Sequence, residues 1–149
     1  MSVSLPLGFS SFVTNVGVKD ETKDFTVVLG VPGTTSAGVF TKSLFAGPSV
    51  LLSRENLDGS NRAMVVLSKN ANVATGDEGM ANAREIAATV SRRLGIDDDE
   101  ILIASTGVIG RQYPMDRIRA GIERVPVPLP HDDADEVARG IMTTDTVHK

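Results

Sequence analysis

The chain of 149 residues contains no cysteine, so neither a disulfide framework nor a cysteine-based zinc site can form. No run of about 18 apolar residues exists to span a bilayer. Residues 1–7 lack both the positive start and the long apolar core of a secretory signal. Basic residues are few and scattered, 15 against 19 acidic ones for a net charge of −4. Their densest spots, Arg92-Arg93 and Arg117, Arg119 and Arg124, all have acidic neighbours. That pattern argues against a nucleic-acid surface, which concentrates positive charge on one face. Also absent are a phosphate-binding glycine fingerprint, an internal repeat, a low-complexity segment and a linker that divides the chain. Hydrophobic residues at 41% and charged residues at 23% lie near globular averages. One soluble cytoplasmic domain over residues 1–149 is the plain expectation.

The first sixty residues read as mostly β with turns at hairpin-like spacing. Strand character follows Gly8, residues 19–23 form a charged turn, and residues 24–29 form the next strand. Gly30-Val-Pro-Gly-Thr34 breaks it, 36–41 looks like a further strand, and 49–52 is apolar again. The continuous apolar run 62–68 predicts a central strand buried on both faces. The loop 69–76 follows it, where Asn70 and Asn72 either bond their own backbone or shape a pocket.

The clearest helix comes next. Thr75 and Glu78 have capping-box spacing, and Ala83, Ile86, Ala87, Val90 and Leu94 recur as one helical stripe. Arg92 and Arg93 suit its C-terminal dipole, and Gly95 is placed to end it. The carboxylates of Asp97, Asp98, Asp99 and Glu100 read as a solvated turn rather than a metal site. Pro114 fits the first position of a second helix faced by Met115, Ile118 and Ile122. The proline-rich stretch 124–130 is an extended connector. The sequence His131-Asp-Asp-Ala-Asp135 starts a last helix, with Val137, Ala138 and Ile141 as its inner face. Strands in pairs followed by helices between strands indicate an α/β layered domain. No metal or cofactor is expected.

One stretch carries a chemical signal, Ile101-Leu-Ile-Ala-Ser-Thr-Gly-Val-Ile-Gly110. A buried strand ends there on small hydroxyl and glycine residues. Gly107, lacking a Cβ, lets an oxygen approach its amide, and Thr106 adds a hydroxyl beside it. Two donors aimed at one point make an oxyanion hole, which stabilises charge developing on a carbonyl oxygen in acyl transfer. An ordinary strand-to-loop turn reads the same way from these residues alone.

Several segments, taken together and in order, resemble the ornithine acetyltransferase family, also called glutamate N-acetyltransferase. They are Gly8-Phe9, Ala37-Gly-Val-Phe-Thr41, Asn70-Ala-Asn72 with Thr75-Gly76, Ser105-Thr-Gly-Val-Ile-Gly110 with Tyr113-Pro-Met115, and Ile141-Met-Thr-Thr-Asp145 ending at Lys149. Residues 45–49, 68–76 and 110–115 look closer to the version found in clavulanic-acid gene clusters, the commoner block being Asn-Ser-Gly-Asn-Ala-Asn.

The resemblance implies a fold of stacked sheets and helices like that of self-processing N-terminal-nucleophile hydrolases, with its own topology. It implies a precursor that cuts itself, exposing an N-terminal threonine nucleophile on a second, β chain, in an α2β2 assembly. That threonine takes acetyl from N-acetylornithine, releases ornithine and passes the acetyl group to glutamate, in arginine biosynthesis or a related pathway. By motif position, Thr106 and Gly107 supply the oxyanion hole and Thr143 contacts substrate, while Thr144 and Asp145 hold that loop. The sequence stops at Lys149 without the family's cut site or nucleophile, so the expectation is an α-subunit portion inactive alone. Two other readings are a self-processing aminopeptidase or amidase half, and a non-catalytic amino-acid-binding domain.

Overall fold

The computed structural model describes residues 3–19 and 21–147. Lys149, which closes the last matched block, and Asp20 of the charged turn lie outside them. One four-stranded sheet runs in chain order: β1 (Phe9–Thr14), β2 (Phe25–Gly30), β3 (Ala63–Leu67) and β4 (Ile101–Ser105). The first two pairings are antiparallel, and β3 with β4 is parallel. Around the sheet lie α1 (Pro48–Asn56), α2 (Gly76–Leu94), α3 (Met115–Glu123) and α4 (Ala134–Gly140). A parallel pair needs a crossover, and α2 is that crossover between β3 and β4. None of these helices is long and apolar enough to cross a membrane.

Side chains alternate across a strand, so register decides which ones share a face. Phe25, Val27, Ala63, Val65, Leu67, Ile101 and Ile103 share one face, and none is more than 3% exposed. The expected α2 stripe of Ala83, Ile86, Ala87, Val90 and Leu94 joins the same core, and Gly95 ends the helix in the left-handed conformation. Each buried branched side chain contributes about 1.5–3 kcal/mol. The expectation that β3 is buried on both faces does not hold: Met64 is exposed and Val66 half-buried. With Val28, Leu102 and Ala104 they form a second sheet face that the described residues cover only in part.

The first sixty residues are less β than their patterning predicts. Residues 35–43 form no strand and Val39 is fully exposed, because no partner strand lies beside them to pair their backbone. Residues 49–52 belong to α1, which Pro48 opens. Ser49, Ser53 and Asn56 recur on one helical face that lies along the open edge of β4. The Ser53 hydroxyl donates to the Ile103 carbonyl and accepts from the Ile103 N–H, both at 2.7 Å. Asn56 donates to the Ile101 carbonyl at 3.0 Å, and the Ser105 hydroxyl donates to that of Ser49 at 2.9 Å. An edge that would otherwise template association is closed by side chains. The opposite edge, on β1, is covered where Ser11 and His131 exchange backbone hydrogen bonds.

Three local readings shift. Thr75 has helical dihedrals and its hydroxyl donates to Asn72 Oδ1 at 2.8 Å, so it forms no capping box. The box sits instead at Asp97 and Glu100, which organise a short 3₁₀ turn rather than merely solvating it. Pro114 occupies the N-cap of α3 instead of its first helical position. In α4, Val137 and Ala138 are half-buried while Ile141 is 43% exposed. The inner residue there is Gly140, because a Cβ at that position would lie 2.2 Å from Thr26 Oγ1 and hold the helix off the sheet.

Candidate functional site

Parallel strands end on the same side of a sheet, and the loops there are where such folds place ligands. Here the loops after β3 and β4 interlock. Asn70 bridges to both Thr106 and Val108, and the Thr106 N–H continues the ladder to the Leu67 carbonyl at 3.0 Å. Val108 N–H then donates to the Lys69 carbonyl at 3.2 Å. Between them Gly107 has φ +132°, and a Cβ there would lie 2.3 Å from the Lys69 carbonyl carbon. Only glycine fits that contact and that dihedral. No acceptor among the described residues takes the Gly107 N–H, and the Thr106 hydroxyl likewise has no partner among them. The pair therefore offers one amide and one hydroxyl, since the Thr106 amide is spent on the ladder.

The loop 69–76 is held against its own strain. Lys69, Asn72 and Ala74 have φ of 76°, 45° and 57°, left-handed values that cost a non-glycine residue on the order of 1 kcal/mol or more. Asn70 and Asn72 over-determine it. Asn70 donates to the Arg111 carbonyl at 3.0 Å and accepts from Asn72 N–H at 2.9 Å. Asn72 donates to the Gly79 carbonyl at 3.0 Å. Both sequence readings apply to Asn70, which accepts from its own loop and also lines a cavity, whereas Asn72 is buried within the loop.

Two successive side chains just after β3 hold the end of α4 and the segment that follows it. Ser68 donates to the Gly140 carbonyl and Lys69 Nζ to the Met142 carbonyl, each at 2.9 Å. Asp145 accepts from the Thr143 N–H at 3.3 Å and closes the turn. The result is a cavity of about 300 Å³ lined by Lys19, Lys69, Thr106, Gly107, Val108, Thr143 and Thr144. Residues about forty positions apart in the chain, Thr106–Gly107 and Thr143–Thr144, thus share one space; Asp145 does not line it.

The ArgJ family model matches residues 10–149. The chain belongs to the ArgJ family. It is 52% identical over 147 residues to the arginine biosynthesis bifunctional protein ArgJ 2 of Nostoc sp., covering 98% of this chain and 38% of that protein. Identity is also 52%, over 143 residues, to the glutamate N-acetyltransferase Oat2 of Streptomyces clavuligerus, covering 95% of this chain and 36% of that one. The chain therefore spans little more than a third of the length of these relatives, 38% and 36%.

Two solved structures share the ArgJ fold. The arginine biosynthesis bifunctional protein of Bacillus halodurans superposes with a TM-score of 0.88 at 33% identity, over 99% of this chain and 78% of that one. The ornithine acetyltransferase of Mycobacterium tuberculosis, complexed with ornithine, gives 0.87 at 32% identity, over 98% and 81%. The N-terminal-nucleophile-hydrolase-like α/β fold of the resemblance is thereby shown.

Within this ArgJ-family chain, sequence reasoning missed Lys19, Lys69 and Arg111. Lys69 has the strongest signal in hindsight, since the commoner family block carries glycine ahead of its Asn-Ala-Asn. A larger neighbouring cavity of about 370 Å³ is lined by Lys19, Lys69, Asn70, Arg111, Tyr113 and Arg117, among others. Burial pushes the Tyr113 hydroxyl above its ordinary pKa, with the Ser105 and Ser49 hydroxyls acting in the opposite direction. Its buried hydroxyl therefore stays neutral at ordinary pH.

Proposed function

We propose that this chain is the α portion of a glutamate N-acetyltransferase, folding as one domain over residues 1–149. In this reading the nucleophile is the N-terminal threonine of a β chain released by self-cleavage. Its Oγ attacks the acetyl carbonyl carbon of N-acetylornithine, with its own amine as base. The C–N bond breaks, and ornithine leaves with the proton. The α-amine of glutamate then attacks the acetyl ester, which re-forms the threonine hydroxyl. Both steps place negative charge on the acetyl oxygen. The Thr106 hydroxyl and Gly107 N–H take that charge, an interaction worth about 2.7–4 kcal/mol per donor in comparable enzymes. Thr143 contacts the amino-acid part, while Thr144 and Asp145 hold its loop.

The observation that carries this reading is the shared cavity of Thr106, Gly107 and Thr143, with neither oxyanion donor engaged by a described residue. A partner chain is supported by the half-covered sheet face of Val28, Met64, Val66, Leu102 and Ala104, in a family whose members are far longer. An α2β2 assembly in the cytoplasm completes the proposal.

Denaturing intact-mass spectrometry of the complete protein, paired with an acetyl-transfer assay, tests it. Two polypeptides, the second beginning with threonine, and transfer from N-acetylornithine to glutamate are expected. The isolated 149-residue chain is expected to be inert. Transfer by that chain alone, or release of acetate to water with no acetyl-glutamate, would overturn it.

A further inference from the structure

The side chains of Ile101, Ile103 and Ser105 leave β4 on the same side, toward the core. The first two are buried and apolar. Ser105 pairs across the sheet with Leu67 and, beyond it, Phe25, both fully buried. An apolar side chain would continue that row without exposing a polar group to the interior, so a hydroxyl there needs partners. Ser105 has two. Its proton is shared between the Ala71 carbonyl at 2.6 Å and Ser49 Oγ at 2.9 Å. Ser49, in the first turn of α1, is itself only 2% exposed.

Ala71 is gripped twice. Its N–H donates to the Val108 carbonyl at 2.9 Å, and its carbonyl accepts from Ser105. The residues on either side of Thr106–Gly107 therefore hold the same residue of the loop after β3, and the pair spans the distance between the two grips. Ser53 gives the contrast. Its hydroxyl joins α1 to β4 two residues earlier, and both of its hydrogen bonds go to Ile103.

We propose that Ser105 is a positioning residue for the oxyanion pair, its hydroxyl fixing the Thr106 end of the pair against α1 and the loop after β3. The inference rests on the acetyltransferase reading above. Ser105 touches no substrate in it and acts through Thr106 and Gly107. Oxyanion donors stabilise charge because they are already aimed when it develops and need no reorganisation. Loosening one end lets the Thr106 hydroxyl and Gly107 N–H drift from the acetyl oxygen. That weakens the transition state more than the bound substrate.

The test compares Ser105→Ala in the complete protein with Ser53→Ala, which deletes a hydroxyl from the same seam between α1 and β4. Ser105→Ala is expected to lower kcat by roughly tenfold or more, since small misplacements of reacting groups are costly. KM should stay within about twofold, as for an interaction made only in the transition state. Ser53→Ala is expected to lower the unfolding midpoint and keep the wild-type kcat. Ser49→Ala, a milder change that leaves the Ala71 bond, should fall between the two. Wild-type kcat in Ser105→Ala, or in Ser49→Ala should only that variant fold, overturns the proposal, as does an equal fall in Ser53→Ala.

Hydrogen exchange of the complete protein keeps the two readings apart. Ser105→Ala is expected to speed exchange at the Thr106 and Val108 amides beyond what its change in unfolding midpoint accounts for, and Ser53→Ala is not. A wild type that transfers no acetyl group but shows that difference would lose the acetyltransferase reading and keep the positioning role. Equal exchange in the two variants, with acetyl transfer intact, would do the reverse.

Discussion

The backbone of Lys69 lies directly behind Gly107, so closely that a Cβ on Gly107 would sit 2.3 Å from the Lys69 carbonyl carbon. That contact fixes where the Gly107 N–H points, and it joins the oxyanion candidate to the loop that holds Thr143. The residue that is strained, Lys69, and the residue that must be glycine are therefore parts of one arrangement.

Substituting Gly107→Ala forces the two loops apart at that contact. It strains a φ of +132° and threatens the Thr106–Leu67 and Val108–Lys69 hydrogen bonds. A stability loss of about 2 kcal/mol or more is expected in urea unfolding. In the complete protein kcat is expected to fall by at least about 10²-fold. A variant with wild-type kcat would take Gly107 out of the reaction.

Thr106 should separate chemistry from stability. Its hydroxyl bonds no described residue, so Thr106→Val is expected to leave the melting temperature nearly unchanged. The same change should lower kcat by roughly 10²–10³-fold, as removal of an oxyanion donor does, and Thr106→Ser should restore most of it. Equal kcat for the valine and serine variants would show that the hydroxyl takes no part.

Ser53→Ala removes both hydrogen bonds that cap the β4 edge at Ile103. Ser53 is 5% exposed, so the strand's N–H and carbonyl would be left without partners in the interior. The expected cost is about 1–3 kcal/mol in urea unfolding, with faster amide exchange at Ile103. An unchanged midpoint would mean that the edge finds other partners.

The opposite sign is expected at Thr26. Its hydroxyl is buried beneath Gly140 without a hydrogen-bond partner among the described residues. Thr26→Val keeps the shape and removes the unsatisfied group, so a gain of about 1 kcal/mol is expected. Loss of stability on thermal melting would show that the hydroxyl has a partner after all.

Where local pattern and tertiary packing agreed, the sequence was legible. The α2 stripe from Ala83 to Leu94 and its glycine stop needed only helical periodicity. The strands at 24–29 and 101–104 needed only short β-branched runs between turn residues. Reading failed where a neighbour far along the chain decides. Residues 36–41 have the composition of a strand but no strand to pair with. Residues 49–52 have the apolar character of one, yet Pro48 and the serines facing β4 make them helix. Thr75 has the spacing of a cap, but its hydroxyl goes to Asn72.

The sequence by itself determined that Thr106 and Gly107 stand at a strand end, because an apolar run stopping on small residues is a local fact. It also determined family membership, since ordered motif blocks survive without coordinates. Only the tertiary structure decided that the Thr106 amide is spent while its hydroxyl meets no described residue, and that Thr143 shares a cavity with Gly107. Nor does anything local foretell that Lys19, Lys69, Arg111 and Arg117 meet. Such convergence depends on how loops from separate strands cross, and crossing is set by long-range packing rather than by the residues on either side.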